Sequence, residues 1–369
     1  MHKAFVFVKT HVVLAIAVVL AVASAFIVPP DSQYLKYVDL KTITNLFVMM
    51  LVIAGLKNMR VFRFLAAKII VKLKSSKKIV FALVFITFIF SIFLANDMAL
   101  LTFLPLTLAV FKIAGKSKYC AFTIIMQNVG ANLGGMIMPF GNPQSLYLYG
   151  HYNISTAEFV KIMWLPFLAS TLAIAVLCLV VVKDEPMQIY AQENANLKPL
   201  NLVVYSLLFL LAILAVMRIV DYKIVAVLAL VCMLLLDRKA LLYVDYPLLL
   251  TFICFFIFAS NMARIQVVSD FVEGLVGKNV LLTGVISCQC FSNVPSAIFL
   301  SHFTSDYKSL LLAVNIGGAG TPIASLASLI SLGHYSKSYP EHKKNYLVLF
   351  LAINFSFLAV LTLICSFIV

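Results

Sequence analysis

The chain has 369 residues, 63% of them hydrophobic and only 11% charged, with a mean hydropathy of +1.06. Soluble domains are about half apolar and a quarter charged, so these totals exclude a soluble enzyme built around one core. The net charge of +14 does not argue for nucleic acid, because eight of the 28 basic residues fall in one acid-free joint, 57–78; such a joint marks the cytoplasmic side of a membrane protein.

In chain order the apolar runs lie at 11–29, 41–56, 79–95, 98–113, 119–149, 158–182, 200–217, 222–236, 247–262, 280–300, 309–335 and 346–369. A bilayer span takes about 20 apolar residues, and only helices or closed barrels satisfy the backbone in lipid. The pattern predicts an all-α polytopic membrane protein. Lys3 and Lys9 ahead of AVASA (Ala21–Ala25) resemble the start of a signal peptide. The first run has an internal counterpart, however, and is read as part of the fold. RVFRFLAAKIIVKLK (60–74) and RIQVVSDFVEGLV (264–276) are predicted to lie as amphipathic helices along the membrane surface. The seven cysteines all lie in apolar runs without zinc-like spacing and read as small buried hydrophobes.

An internal repeat organises these runs. Tyr37-Val38-Asp39 returns as Tyr243-Val244-Asp245, and about ten residues on, FVMMLVIAG (Phe47–Gly55) matches FICFFIFAS (Phe252–Ser260). An amphipathic stretch follows in each copy, then an asparagine-bearing tip, LANDMALL from Leu94 and CFSNVPSA from Cys290. A glycine-rich break comes next, NVGANLGG from Asn128 and NIGGAGTP from Asn315. The basic N-terminus and the joints 57–78, 112–118 and 337–344 are expected inside; the near-neutral joints 30–41, 263–279 and 301–308 are expected outside. The copies are therefore inverted, and the unpartnered run 200–217 supplies the odd crossing. The expected division is a first inverted repeat at 1–183, a linker with a connecting helix at 184–217, and a second inverted repeat at 218–369. The N-terminus would be cytoplasmic and the C-terminus outside, in a bacterial-type plasma membrane. Inverted repeats with interrupted helices are the mark of secondary transporters, whose site lies near the midplane between the copies.

The stretch NVGANLGGMIMPFGNPQ (128–144) holds four glycines, two prolines, three asparagines and no charge inside an apolar run. A break of this kind is tolerable in a bilayer only where protein or a polar cavity receives the freed backbone groups. It exposes helix N-termini and loose carbonyls that bind ions. Asn128, Asn132, Gly141, Asn142, Pro143 and Gln144 are therefore substrate-binding candidates. The second break adds Asn315, Gly317, Gly318, Thr321, Pro322 and Ser325. Ser328 shares a helix face with Ser325, where it can equally bond to its own carbonyls. The tips contribute Asn96, Ser292 and Asn293. Their flanking runs fit either a re-entrant hairpin or two full crossings.

Asp97 is the acidic residue that lies deep between apolar runs with no basic neighbour in sequence. A charge at mid-bilayer costs about 2.5–3.5 kcal/mol on insertion scales, so it marks function. Asp97, with Asn96 and Asn293, is the candidate for coupling to Na⁺ or H⁺; the alternative is a helix N-cap. With no Lys or Arg deep in any run, an anionic substrate would depend on helix N-termini, amides and hydroxyls. Tyr147, Tyr149 and Tyr152, and Tyr335 with Tyr339, are expected in aromatic belts at the two interfaces. No metalloprotease, phosphate-loop or triad-like grouping occurs, so no enzyme is expected, and no cofactor beyond Na⁺ as a coupling ion.

The paired asparagine tips, each followed by an NxGxNxGG…GNPQ-like or NxGGxGTPIASLAS-like break, resemble the ion transporter superfamily. They are most similar to arsenite-permease/NhaD-type and citrate-transporter-like permeases, over nearly the whole chain. The resemblance implies two inverted repeats, each with a re-entrant hairpin and a broken helix meeting at the substrate. It also implies elevator-like alternating access, often in a dimer, coupled to Na⁺ or H⁺. Divalent-anion/sodium symporters of that superfamily carry Ser-Asn-Thr at both tips. Here the tips are Ala95-Asn96-Asp97 and Ser292-Asn293-Val294, closer to the arsenite-permease side. Against the family pattern the chain is one helix short before residue 11.

The expectation is a cation-coupled secondary carrier of a small inorganic or organic anion, or of a neutral oxyacid such as arsenite. Its partners would be that solute, the lipid bilayer and a second copy in a homodimer, with no nucleic acid. A Na⁺/H⁺ antiporter is the near alternative; a channel or a membrane scaffold is the alternative of another class.

Overall fold

A computed structural model of the protein describes residues 12–187 and 198–369. Lys3, Lys9, the first residue of the first run and residues 188–197 of the predicted linker lie outside the described residues. The described chain is helical: α1 (Val12–Ile27), α2 (Leu40–Asn58), α3 (Val61–Val71), α4 (Ser76–Leu94), α5 (Asn96–Ile113), α6 (Cys120–Gly134), α7 (Pro143–His151), α8 (Thr156–Val181), α9 (Pro199–Val216), α10 (Tyr222–Leu236), α11 (Tyr246–Ala263), α12 (Gln266–Val276), α13 (Val280–Phe291), α14 (Asn293–Leu300), α15 (Tyr307–Ile316), α16 (Leu326–Ser338) and α17 (Lys343–Cys365). Among the described residues eight helices are long and apolar enough to cross a membrane. The apolar runs set the helices, and the polar joints start them. Asp39, Ser155, Asp245, Asn279 and Asp306 each accept a backbone N–H two or three residues into the helix that follows.

The repeat recurs as geometry. Asp39 and Asp245 open α2 and α11 with nearly the same backbone angles, φ −75° and −78°, ψ 89° and 75°. The surface helices α3 and α12 are both 11 residues long. Each tip turns on a non-glycine residue in a positive-φ conformation, Ala95 (φ 63°) and Ser292 (φ 76°). The packing is exchanged between copies: α1 lies on α11 while α10 lies on α2, and α5 lies on α16 while α14 lies on α7. The connecting helix α9 packs against α2 and α10.

The two hairpins enter from opposite ends of the broken span α6–α7. At the open end of the α4–α5 hairpin, Ser76 Oγ donates to Lys183 O (2.6 Å). There Glu185 accepts from Lys116 (2.7 Å), Lys118 (2.6 Å) and the Tyr119 hydroxyl (3.0 Å), beside the start of α6. These partners, the two lysines foremost, hold its carboxyl down to about 2. The open end of the α13–α14 hairpin lies instead by the far end of α7, where Tyr147 and Ser301 share a hydroxyl bond (2.8 Å) and the Tyr152 hydroxyl donates to Thr304 O (2.7 Å). The two hairpins thus open toward opposite ends of α6–α7.

The first hairpin has arms of 19 and 18 residues, each long enough for a span. Asn96 N donates to Gly141 O (3.2 Å), so the tip ends at the break. Beyond it α7 continues for another nine residues, about 13 Å. The second hairpin is shorter, with arms of 12 and 8 residues, and α12 and α13 meet at a 118° bend where the surface helix turns into the first arm.

Two readings are corrected. Tyr147, Tyr149 and Tyr335 are buried, not belt residues. The hydroxyls of Tyr147 and Tyr149 are satisfied by Ser301 and Thr156, and Tyr335 stacks on Tyr346 at 4.2 Å. The cysteines are not uniformly buried: Cys290 is exposed, and Cys232 and Cys254 partly so.

Candidate functional site

Both breaks exist because helix geometry fails there for stated reasons. In the first, α6 ends at Gly134, and a short 3-10 turn (Gly135–Ile137) leads through Pro143 into α7. Gly135 and Gly141 lie backbone against backbone. A Cβ on Gly141 would come far inside 3.0 Å of the Gly135 carbonyl oxygen, so neither position accepts a side chain. In the second, α15 ends at Ile316 and α16 starts after Ser325, whose hydroxyl accepts from Ser328 N. Gly320 sits there at φ 121°, a conformation that favours glycine.

The two tips arrive at the two breaks in the same way. Asn96 N donates to Gly141 O (3.2 Å) and Asn293 N to Ala324 O (2.9 Å). Each asparagine turns its side-chain oxygen back onto the next N–H, Asp97 or Val294, at 2.9 Å. Asn96 Nδ2 then donates to Asn132 Oδ1 (3.0 Å), and Asn132 Nδ2 donates across the repeat boundary to Ser325 Oγ (3.1 Å). A Cβ on Gly318 would meet Asn293 Nδ2 and Asn132 Oδ1, so the second tip and Asn132 flank the same glycine. One turn earlier Asn128 Nδ2 faces Ser328 Oγ and Asn354 Oδ1, both at 3.4 Å.

The first turn of α7 carries the densest donor group. Asn142 Nδ2 (3.1 Å), Gln144 Nε2 (3.4 Å) and Ser145 Oγ (2.8 Å) all donate to Asn315 Oδ1, while Asn315 Nδ2 is held by Leu311 O (2.9 Å). Asn142, the N-cap of α7, makes no side-chain capping bond, whereas α16 is capped by Ser325. The early N–H groups of α7 are thus left to other partners. Asn142 Oδ1, Gln144 Oε1, Asn128 Oδ1 and Asp97 Oδ1 are buried with no partner among the described residues. Buried polar atoms are normally satisfied, so four unpartnered acceptors in one neighbourhood mark a place adapted to something other than stability.

Of the residues singled out in the sequence, Asn96, Asn128, Asn132, Asn142, Gln144, Asn315 and Ser325 are buried in this joined region, with Gly141, Pro143, Gly317 and Gly318 forming its backbone. Asn293 is buried at the second tip. Ser292, Thr321 and Pro322 sit at its half-exposed rim. Four participants were missed. Ser145 follows the break directly, and Asn354 is a lone amide in an apolar run, a signal that could have found it. Gln127 ties α6 to the first hairpin through Leu83 O (3.2 Å) and Thr87 Oγ1 (2.8 Å).

The fourth is Gln289, which staples the second break. Its Nε2 donates to Gly317 O (2.9 Å) and Ala319 O (3.1 Å), and its Oε1 accepts from Thr321 N (2.8 Å). Gln289→Leu is expected to lower stability by about 2–3 kcal/mol, since it leaves an N–H and two carbonyls with weaker or no partners. A thermal-unfolding comparison with wild type in detergent checks this. A change under about 0.5 kcal/mol would mean that the break holds itself.

Asp97 stands just past the first tip, 9% exposed, and lines a cavity of about 40 Å³ with Met98, Pro143 and Asp245. Through Met98 and Leu101 this cavity adjoins a larger one of about 520 Å³, lined by Lys57, Arg60, Arg63 and Lys239 against the single acid Asp237. A basic vestibule therefore leads toward the first tip.

Comparison with known proteins agrees with this architecture. Residues 4–306 match the model of the citrate transporter family. An uncharacterized transporter of Methanocaldococcus jannaschii, MJ0456, is 33% identical over 80% of this chain and 81% of its own length. The inner membrane protein YbiR of Escherichia coli is 28% identical over 85% of each chain. The chain is a polytopic membrane transporter and belongs to the citrate transporter family.

Proposed function

We propose that the chain is a secondary active carrier of a small carboxylate-type anion, coupled to an inward cation gradient and working by alternating access. The observation that carries this reading is the convergence of three donors from the first turn of α7 on one oxygen, Asn315 Oδ1. Donors so placed, at a helix N-terminus without a side-chain cap, suit an anionic oxygen better than an amide carbonyl. In this reading Asn315 Oδ1 marks the position of a substrate oxygen. The basic vestibule raises the local concentration of anions ahead of the site. The name of the matched family, citrate transporter, points to the same substrate class.

In this reading the repeats 1–183 and 218–369, joined by 184–217, move against each other about the tips, and Asp97 carries the coupling ion. The basic joints favour a vestibule and an N-terminus on the cytoplasmic side and a C-terminus outside, in a bacterial-type plasma membrane. A cation–proton antiporter is favoured by one observation alone, the buried and half-unpartnered carboxylate of Asp97.

The test is a thermal-shift screen of the purified protein with citrate, succinate, phosphate and arsenite, with and without Na⁺, at two pH values, followed by uptake into proteoliposomes. Citrate or succinate is expected to raise the melting temperature and to accumulate only under a Na⁺ or pH gradient. Cation exchange that runs at full rate without any anion would replace this reading with the antiporter.

A further inference from the structure

We propose that the basic vestibule beside α3 is a binding site for an anionic phospholipid, with the lipid phosphate among Lys57, Arg60, Arg63 and Lys239 and the glycerol end against Phe62, Met98 and Leu101. The inference goes beyond the transport reading and does not depend on the substrate.

The two copies build the same corner and finish it differently. Each places an aspartate six residues before its Tyr-Val-Asp, Asp31 in the first copy and Asp237 in the second. Each also places an arginine in the turn between a span and its surface helix, Arg60 before α3 and Arg264 before α12. Because α1 lies on α11 and α10 on α2, each aspartate comes to the arginine turn of the other copy. At the Arg264 corner the charges close on themselves. Nη2 donates to Asp31 Oδ2 (2.8 Å) and Nη1 to the Tyr37 hydroxyl (2.7 Å). At the Arg60 corner the equivalent residues, Asp237 and Tyr243, are in place, but the pairing is absent. The Asp237 carboxylate accepts from the Asn58 amide (3.4 Å), and no ion pair among the described residues joins it to Lys57, Arg60 or Lys239. Where one corner sets one arginine on one acid, the other sets four cations around one acid and a cavity of about 520 Å³. A charge excess of this kind in a recess calls for an anion from outside the chain.

The rest of the corner selects a lipid among anions. Two guanidinium groups suit a phosphate, which they can bind in a forked way. The opposite wall, Ala54, Phe62, Met98 and Leu101, is apolar. It gives nothing to a free phosphate and fits the glycerol and first methylenes of a phospholipid. The outer face of α3 and its C-cap presents Leu65, Lys68, Ile69 and Lys72 together, all exposed. Apolar side chains beside lysines on one exposed face are the arrangement of a helix lying at headgroup depth. The counterpart α12 also exposes apolar residues, Val267 and Phe271, but sets them beside Asp270 and Glu273. Basic recesses between helix ends are where anionic headgroups bind. The walls come from both copies, α2, α3 and α5 from the first and 237–243 from the second. A headgroup lodged there therefore ties the second arm of the first hairpin to the other repeat.

The experiment follows the melting temperature of the purified full-length protein in dodecyl maltoside as dioctanoyl phosphatidylglycerol is added. Dioctanoyl phosphatidylcholine, glycerol phosphate and inorganic phosphate are run in parallel. Phosphatidylglycerol is expected to raise wild-type melting by about 3 °C or more near saturation, and the other three by no more than about 1 °C. Arg60→Gln combined with Lys239→Gln should shift the lipid response to about thirtyfold higher concentration. Asp237→Asn removes the acid from the cavity and should move the response the other way, by about fivefold, so the test survives if the double variant folds poorly. Lys68→Gln combined with Lys72→Gln, on the outer face of α3, should keep the wild-type response. Equal shifts from glycerol phosphate and phosphatidylglycerol would make this a site for soluble phosphate and overturn the lipid. Three results would overturn the site itself: no shift with phosphatidylglycerol, a response unmoved by either cavity change, or a loss as large in the Lys68 and Lys72 variant.

Discussion

Gly141→Ala is expected to abolish transport and to destabilise the protein by about 2–4 kcal/mol, near the upper end for a single added methyl group. The new Cβ would meet backbone, the Gly135 carbonyl, and not the end of a flexible side chain. Relief requires the strand of chain 135–141 to open. Opening it moves Gly141 O away from Asn96 N and carries the first tip out of register with Asn132. The effect is therefore on stability and on the site together. Gly333→Ala is the control: nothing lies within 4 Å of a Cβ there, and the position is inside α16. Alanine at that position should be neutral or stabilising by about 0.5–1 kcal/mol. Melting temperatures and uptake of both variants decide the matter; a Gly141→Ala protein with wild-type melting and uptake would show that the break is slack.

What could be read from the sequence was whatever lipid enforces. An apolar run in a bilayer has almost one solution, so the twelve runs gave the helices within a few residues, and the two glycine-rich breaks stood out against them. The docking of the first tip on the break was not readable, because α4 and α5 are as long as true spans and only the bond from Asn96 to Gly141 ties the tip there. Gln289 was invisible for a related reason. It lies between two cysteines in an ordinary apolar arm, and its importance comes from carbonyls 28 and 30 residues away. Asp245 reads as a joint residue because it falls between the runs 222–236 and 247–262; the cavity it shares with Asp97 arises only when the chain is folded. The tyrosines at 147, 149 and 335 illustrate the opposite error, since amphipathic rings at the end of an apolar run suit an interface belt or a buried hydroxyl pair equally well.

Asn315→Asp is expected to inactivate the transporter without destabilising it, and the pairing of those two outcomes is the informative part. In the wild type one amide oxygen receives Asn142, Gln144 and Ser145. An ionised carboxylate there would turn three neutral hydrogen bonds into charge-assisted ones, each raised from about 1 to about 1.5–3 kcal/mol. That gain opposes the desolvation of the new charge, which is several kcal/mol for a buried ion, and the uncapped start of α7 adds to it. The two terms are of similar size, so the melting temperature should stay near that of wild type. The Leu311 carbonyl, which accepts from the amide nitrogen, loses its donor and sets the main penalty. The fixed carboxylate then occupies the position assigned to the substrate oxygen and competes with it within the same molecule. Citrate should no longer raise the melting temperature, and uptake should fall by about two orders of magnitude. Asn315→Ala should behave differently. It strips the three donors of their acceptor and lowers stability by about 2–3 kcal/mol, but it leaves the donors free for an anion, so citrate should recover part of the lost stability. If Asn315→Asp still responds to citrate as wild type does, the donor group on α7 is a structural knot, and the anion binds elsewhere.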